Sequence, residues 1–177
     1  MIAECIIFLA TLGSLEVPTD EYFIEQYFNC KEEVPQSMWK HADYYYNFFD
    51  TKNINNAVRI GWCESRGKTN AHRTDNKDSG VMQFVPWTWN WVAEIYDLPE
   101  WDTWVVLKYG KPYTSKTSKS DIGFSFVKVQ NSQHYNIMFA SMLAEDIYGK
   151  TQWRDWSSSK WCWGDSESWK RKWNNEK

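Results

Sequence analysis

The sequence lacks a surplus of basic charge: 20 Lys and Arg stand against 23 Asp and Glu, for a formal charge of -3. A nucleic-acid-binding domain needs a basic face to neutralise phosphates, so this balance argues against nucleic acid as a partner. Long apolar runs are missing too. The run Cys5-Ile6-Ile7-Phe8-Leu9-Ala10-Thr11-Leu12-Gly13-Ser14-Leu15 is too short to hold a stable membrane span. Its length suits the core of a signal peptide over residues 1–14. Its flank does not, because Glu4 precedes it and no Lys or Arg does, so a short N-terminal helix packed on the domain is the competing reading. Histidine is scarce, and His41, His72 and His134 have no metal-ligand spacing, so no metal is expected. Ser65 and His72 lack a nucleophile elbow and an ordered partner acid, which excludes a serine hydrolase triad.

Aromatic residues, by contrast, are abundant. A chain of 177 residues is a one-domain length, long enough to bury a proper core. Its 13 Trp, 10 Tyr and 9 Phe exceed what core filling requires, so some rings are expected to be exposed or to line a groove. Aromatic faces suit the apolar faces of sugar rings, while core packing is the alternative for any single Trp.

Pro18-Thr19-Asp20-Glu21 reads as a helix start, with Thr19 or Asp20 as cap and Tyr22, Phe23, Ile24, Tyr27 and Phe28 as apolar positions. A second helix is expected from about residue 35 to 49, carrying Met38, Trp39, Ala42, Tyr45, Tyr46 and Phe49. A third precedes Glu64, since Ile54, Ala57, Val58, Gly61 and Trp62 recur at three- and four-residue intervals. Gly67 can end it in the left-handed conformation, and Arg66 suits the negative end of its dipole. Glu64 thus falls in the last turn, where the dipole and burial against Trp62 both favour a protonated carboxyl. A carboxyl that holds a proton near neutral pH is what general-acid work on a glycosidic oxygen requires. The alternative is a solvated helix-end glutamate.

Residues 68–79 are polar and turn-forming, and would line one wall of a groove as a loop or irregular hairpin. Within them, Asp75 and Asp78 are candidates for a second carboxylate, or else solvated turn residues. Pro86 opens a helix over residues 87–96 that Asp97-Leu98-Pro99 stops. Residues 101–133 read as an insertion beside the groove: Trp104-Val105-Val106-Leu107-Lys108-Tyr109 is a strand or a helix end, residues 111–120 a polar basic loop, and residues 122–129 alternate like a strand. The last clear helix spans residues 136–149, and residues 165–177 read as a polar tail in which Trp169 and Trp173 can close against the domain.

Three pieces of the chain, Glu64-Ser65-Arg66-Gly67, Asn70-Ala71 and Gly80-Val81-Met82-Gln83-Phe84-Val85-Pro86, resemble the signature of the soluble lytic transglycosylase family within the lysozyme-like superfamily. That signature reads E-S-x-x, then N-A, then G-L-M-Q-x-x-P, with Val81 here in place of Leu. Asn136-Ile137 with Ala140 and Leu143 looks like the family's third block. The final A-Y-N block is absent, and Tyr148-Gly149 stands nearest to it. Residues 153–163 resemble the terminal W-x-x-W-x-x-S-x-x-C-W pattern of phage-type and secreted relatives.

The resemblance covers about residues 54–163. It implies a mainly α, lysozyme-like single domain with a small irregular or β wall beside the groove. An N-terminal helical segment over residues 15–50 would precede a catalytic region over residues 51–164. The implied activity is cleavage of the β-1,4 bond between N-acetylmuramic acid and N-acetylglucosamine in peptidoglycan glycan strands, by a secreted, periplasmic or wall-associated monomer of bacterial or phage origin, with no cofactor. Glu64 would act as acid and then base, with Ser65, Met82, Gln83 and Tyr148 shaping the subsites. A hydrolytic lysozyme would add Asp75 or Asp78 to position water, about 6.5–9.5 Å from the acid. The rival from another class is a wall-binding or virion structural protein that keeps the fold without turnover. Secreted relatives carry a Cys beside the catalytic Glu and another near the terminal Trp-rich motif, which favours pairing Cys63 with Cys162. Cys30 is then a free thiol or a partner for another chain if Cys5 leaves with a signal. Three free cysteines in a reducing compartment remain the other reading.

Overall fold

The computed structural model describes residues 1–13, 17–72, 77–113, 123–149 and 153–174. In chain order the helices are α1 (Ile2–Leu12), α2 (Glu21–Glu33), α3 (Gln36–Trp39), α4 (Ala42–Phe48), α5 (Thr51–Ser65) and α6 (Pro86–Tyr96). A small sheet of β1 (Trp104–Lys108), β2 (Lys111–Pro112) and β3 (Phe124–Lys128) follows, and then α7 (Gln133–Ser141), α8 (Lys160–Trp163) and α9 (Ser166–Asn174). The fold is therefore mainly α with a small β part. Among the described residues no helix is long and apolar enough to cross a membrane.

The N-terminal apolar run forms α1, which packs on α4 and α5 with Ile2, Ile6 and Leu9 buried. A disulfide joins its Cys5 to Cys30 of α2, a pairing the sequence did not suggest. Asp20 caps α2 by accepting from the Tyr22 amide. Of that helix's apolar positions Tyr27 is buried, whereas Tyr22 and Phe28 stay exposed.

The helix expected over residues 35–49 is broken into α3 and α4. At the break His41 turns fully inward, and its ring nitrogen Nε2 lies 2.8 Å from the Gly67 carbonyl. A carbonyl only accepts, so Nε2 carries the proton. Satisfying that buried carbonyl outweighs one more turn of continuous helix.

In the sheet, order β2-β1-β3, both pairings are antiparallel. Val106 lies opposite Phe126 and Trp104 opposite Lys128. Alternation turns Val105 and Leu107 towards the core and Trp104 to solvent. The basic loop continues into residues 114–122, outside the described part.

α7 begins at the Ser132 cap and passes directly into a π-helical segment, Met142–Ile147. A 3-10 segment, Arg154–Ser159, leads into α8. The tail expected to be polar is instead the amphipathic α9, with Trp169 and Trp173 one turn apart and both buried. The Trp169 ring meets Trp62 of α5 edge-on at 5.8 Å. Burying a side chain of this size stabilises by roughly 2–3 kcal/mol, which draws α9 onto the helix that bears Glu64.

Candidate active site

Helix α5 shows why its residues sit where they do. Ile54, Ala57, Val58, Gly61 and Trp62 are all buried, as their spacing predicts, and Glu64 lies half-buried in the final turn. Arg66 at the C-cap takes the left-handed conformation at φ 55°, and Gly67 follows at φ 73°. The Arg66 guanidinium reaches back to the Trp62 and Cys63 carbonyls at 3.0 and 3.1 Å, and lies 4.1 Å over the Trp62 ring. It thus adds a second donor to the Trp62 carbonyl, which already accepts from the Arg66 amide, reaches the Cys63 carbonyl as well, and places a cation at the negative end of the dipole. Covalently, Cys63 is bonded to Cys162 of α8.

At the other end, the Asp50 amide donates to the Glu145 carboxylate at 3.0 Å, and the Asn53 side-chain amide donates to the same group. Burial pushes the Glu145 carboxyl up, against the hydrogen bonds from Asn53 and Asp50 that hold it down.

Ser65, expected to shape a subsite, is instead buried at the helix end. Its hydroxyl donates to the Gly61 carbonyl at 2.8 Å and accepts from the Gly67 amide at 3.1 Å, closing the helix end from inside the protein. Its one donor hydrogen is spent there, and burial keeps the hydroxyl from solvent.

The second block returns to this helix end as a tight turn. Ser79 and Phe84 exchange backbone hydrogen bonds at 2.9 and 3.0 Å, enclosing Gly80-Val81-Met82-Gln83. Gly80, at φ 84°, has to be glycine, since a Cβ there would sit 2.1 Å from the Asn136 side-chain nitrogen. The Asn136 carbonyl oxygen accepts from the Met82 amide at 2.7 Å, which ties the third block to the second.

The turn rests on Gly61, one helical turn before Glu64. A Cβ at Gly61 would lie 3.2 Å from Val81 Cγ1 and 2.2 Å from the Tyr45 hydroxyl. The absence of a side chain at 61 is what lets the wall approach the helix so closely.

Met82 forms part of a cleft floor, yet its side chain has 0% exposure, and Tyr45 donates to its sulfur at 3.6 Å. The expected adaptable contact to a sugar is therefore core packing, because the tight turn directs this side chain inward. Gln83 sits at φ 53°, a strained conformation for a residue with a side chain. Its amide donates to the Ala71 and Gly80 carbonyls, both at 2.8 Å. Both donor hydrogens are thus used, and the side-chain carbonyl is the group it can present to a ligand.

Asp78 is not a solvated turn residue, at 3% exposure. Asp75 lies outside the described residues. Tyr148 donates to Asp155 at 2.8 Å, accepts from Arg154 at 3.2 Å and lies under that guanidinium at 4.4 Å. Gln83 and Tyr148 line one cleft of about 340 Å³, together with Trp87, Thr88, Arg154 and Asp155. A larger cleft of about 650 Å³ lies along α6, away from the residues the sequence singled out. Size does not decide between them, because the smaller one collects Met82, Gln83, Tyr148 and the Trp-rich motif, although Glu64 is not among the residues that line it.

Family models, curated proteins and solved structures give no match to this chain.

Sequence reasoning missed four contributors. Arg154 and Asp155 enter the Gln83 cleft from the Trp-rich motif, where only the repeated Trp drew notice. Trp156 of the same motif donates to the Met82 carbonyl at 2.9 Å, fixing the turn from below. His41, buried beside Gly67, is held neutral: desolvation lowers its pKa to about 4, against the pull of the Gly67 hydrogen bond. Nothing in its sequence neighbourhood marks that contact. Among the described residues, no three of His, Cys, Asp and Glu are grouped so as to hold a metal ion.

Proposed function

We propose that the protein cleaves peptidoglycan glycan strands as a lytic transglycosylase, with Glu64 as the single acid and base. The observation that carries this is the packing of the Gly80-Val81-Met82-Gln83 turn on Gly61, one turn before Glu64. Two sequence blocks thereby meet near the end of one helix, with Glu64 half-exposed in its last turn.

In this reading Glu64 gives its proton to the glycosidic oxygen as the bond to the anomeric carbon of N-acetylmuramic acid breaks. The sugar's own C6 hydroxyl then attacks that carbon, and the Glu64 carboxylate takes the hydroxyl proton. The products are a free N-acetylglucosamine 4-hydroxyl and a 1,6-anhydro end, with no water consumed. The Gln83 carbonyl accepts from an N-acetyl N–H, and Tyr148 and Arg154 shape the adjoining wall. The substrate is extracellular or periplasmic, which suits two disulfides. No metal or organic cofactor enters any step.

Replacing Glu64 with Gln keeps the shape and removes the titratable proton. Wild type is expected to clear purified cell walls, and Glu64→Gln to lose about 10²–10⁴ of that rate. Mass spectrometry of the released muropeptides is expected to show ends lighter by one water than a reducing end. Reducing ends would instead identify a hydrolase, with Asp78 as the next carboxylate to replace. A variant as active as wild type refutes the role of Glu64, and equal inactivity of both would favour a binding or structural protein.

A further inference from the structure

We propose that the outward flank of α6 is a second glycan-binding platform, contiguous with the Gln83 cleft and selective for uncharged N-acetylhexosamine units. This rests on the glycan-cleaving reading above and extends it. The buried face of α6 is Thr88, Trp89, Val92 and Ala93, which accounts for the helix's place in the core. Trp87 and Trp91 stand on a different flank, one turn apart. Trp87 is 73% exposed, and its ring stacks on that of Trp91 at 5.9 Å with 23° between the planes. A flat apolar ring held in one orientation and left in water contributes little to the fold, but it matches the C–H face of a pyranose.

The surroundings specify the ligand further. Trp87 lines both clefts, and Trp91 lies 6.1 Å from Tyr148 of the Gln83 cleft, so the two form one path. Beyond Trp87 the cleft of about 650 Å³ carries Asn90, Glu94, Asp97 and Glu100, and among the described residues no Lys or Arg lines it. Asn90 accepts from the Trp101 amide at 2.8 Å, which fixes its orientation and turns its NH₂ to donate. Three carboxylates and one amide nitrogen suit sugar hydroxyls and an acetamido group, and they repel anions such as a lactyl carboxylate or a wall-polymer phosphate. The Gln83 cleft differs, because Arg154 supplies a cation there. A strand lying across Trp87 would thus place its anionic muramyl unit beside Arg154 and a neutral unit over the α6 flank.

The test uses the full chain carrying Glu64→Gln, so that binding is read without turnover. Chitotriose and chitohexaose are titrated by calorimetry and by tryptophan fluorescence. The hexamer is expected to bind about tenfold more tightly than the trimer, and adding Trp87→Ala is expected to abolish that difference, the size of effect one aromatic contact gives. Because Trp87 is at the surface, the thermal midpoint should stay unchanged, and Glu94→Lys in place of Trp87→Ala should also weaken the hexamer.

Equal affinity for the two oligomers, no binding of either, or a hexamer advantage that survives Trp87→Ala would overturn the platform. Failure of the catalytic reading appears separately, in the wall-clearing assay of wild type against Glu64→Gln.

Discussion

The two ends of α5 are held in different ways. The N-terminal end is met by one carboxylate, Glu145, through the Asp50 amide and the Asn53 side chain. The C-terminal end has a disulfide, the Arg66 guanidinium folded back on two carbonyls, the Ser65 hydroxyl and, through Gly67, the His41 ring. A frayed start costs the fold a little. A frayed finish would let Glu64 wander, and the general-acid role proposed for it tolerates little misplacement. On that proposal, the more restrained end is the one at which position matters.

Removing the covalent clamp breaks this comparison most severely. Cys63→Ser with Cys162→Ser releases a closure across 99 residues, and a loss of about 4–5 kcal/mol is expected in urea unfolding. A loss under about 1 kcal/mol would mean that the noncovalent contacts at this end suffice.

Acid tests the His41 contact. The ring is neutral in the fold, with a pKa of about 4, and protonates near 6.5 once unfolded. The unfolded chain therefore binds the extra proton, and stability falls as pH drops from 6.5 to 4, by about 3 kcal/mol from this group alone. Comparing wild type with His41→Gln across that range should show a shallower slope in the variant. Parallel curves would remove His41 from the clamp.

The smallest effect belongs to the other end. Glu145→Ala strands the Asp50 amide and the Asn53 side chain, and should cost about 1–2 kcal/mol. Glu145→Gln keeps an acceptor and sheds a charge that burial disfavours, so it should cost less. If Glu145→Ala destabilised as much as loss of the disulfide, the contrast between the ends would vanish.

Local signals carried much of this architecture. The apolar spacing of α5, Pro86 at the start of α6, the stop at Asp97-Leu98-Pro99 and the strand run of β3 are each decided within a few residues, and each is visible in the sequence. The pairing of Cys63 with Cys162 followed from a resemblance in motif order. What stayed hidden depends on distant partners. The break before α4 exists because residue 41 meets residue 67, which no periodicity encodes. Met82 and Ser65 face inward because a tight turn and a helix cap consume them, although both residue types also occur in ligand sites. Gln83 was expected to give and to take hydrogen bonds. Its donors are spent on Ala71 and Gly80, and only the folded turn reveals that. The charged tip of residues 165–174 concealed an amphipathic helix, since two Trp in ten residues make too short a pattern to assign with Lys and Arg around them.

The bridge from Cys63 to Cys162 also has a temporal side. During synthesis the helix bearing Glu64 emerges long before its covalent partner does, and the Trp that packs on it comes later still. The end of α5 therefore stays unclamped until translation has run far past it and the two thiols have been oxidised, so its position is fixed late in the making of the chain.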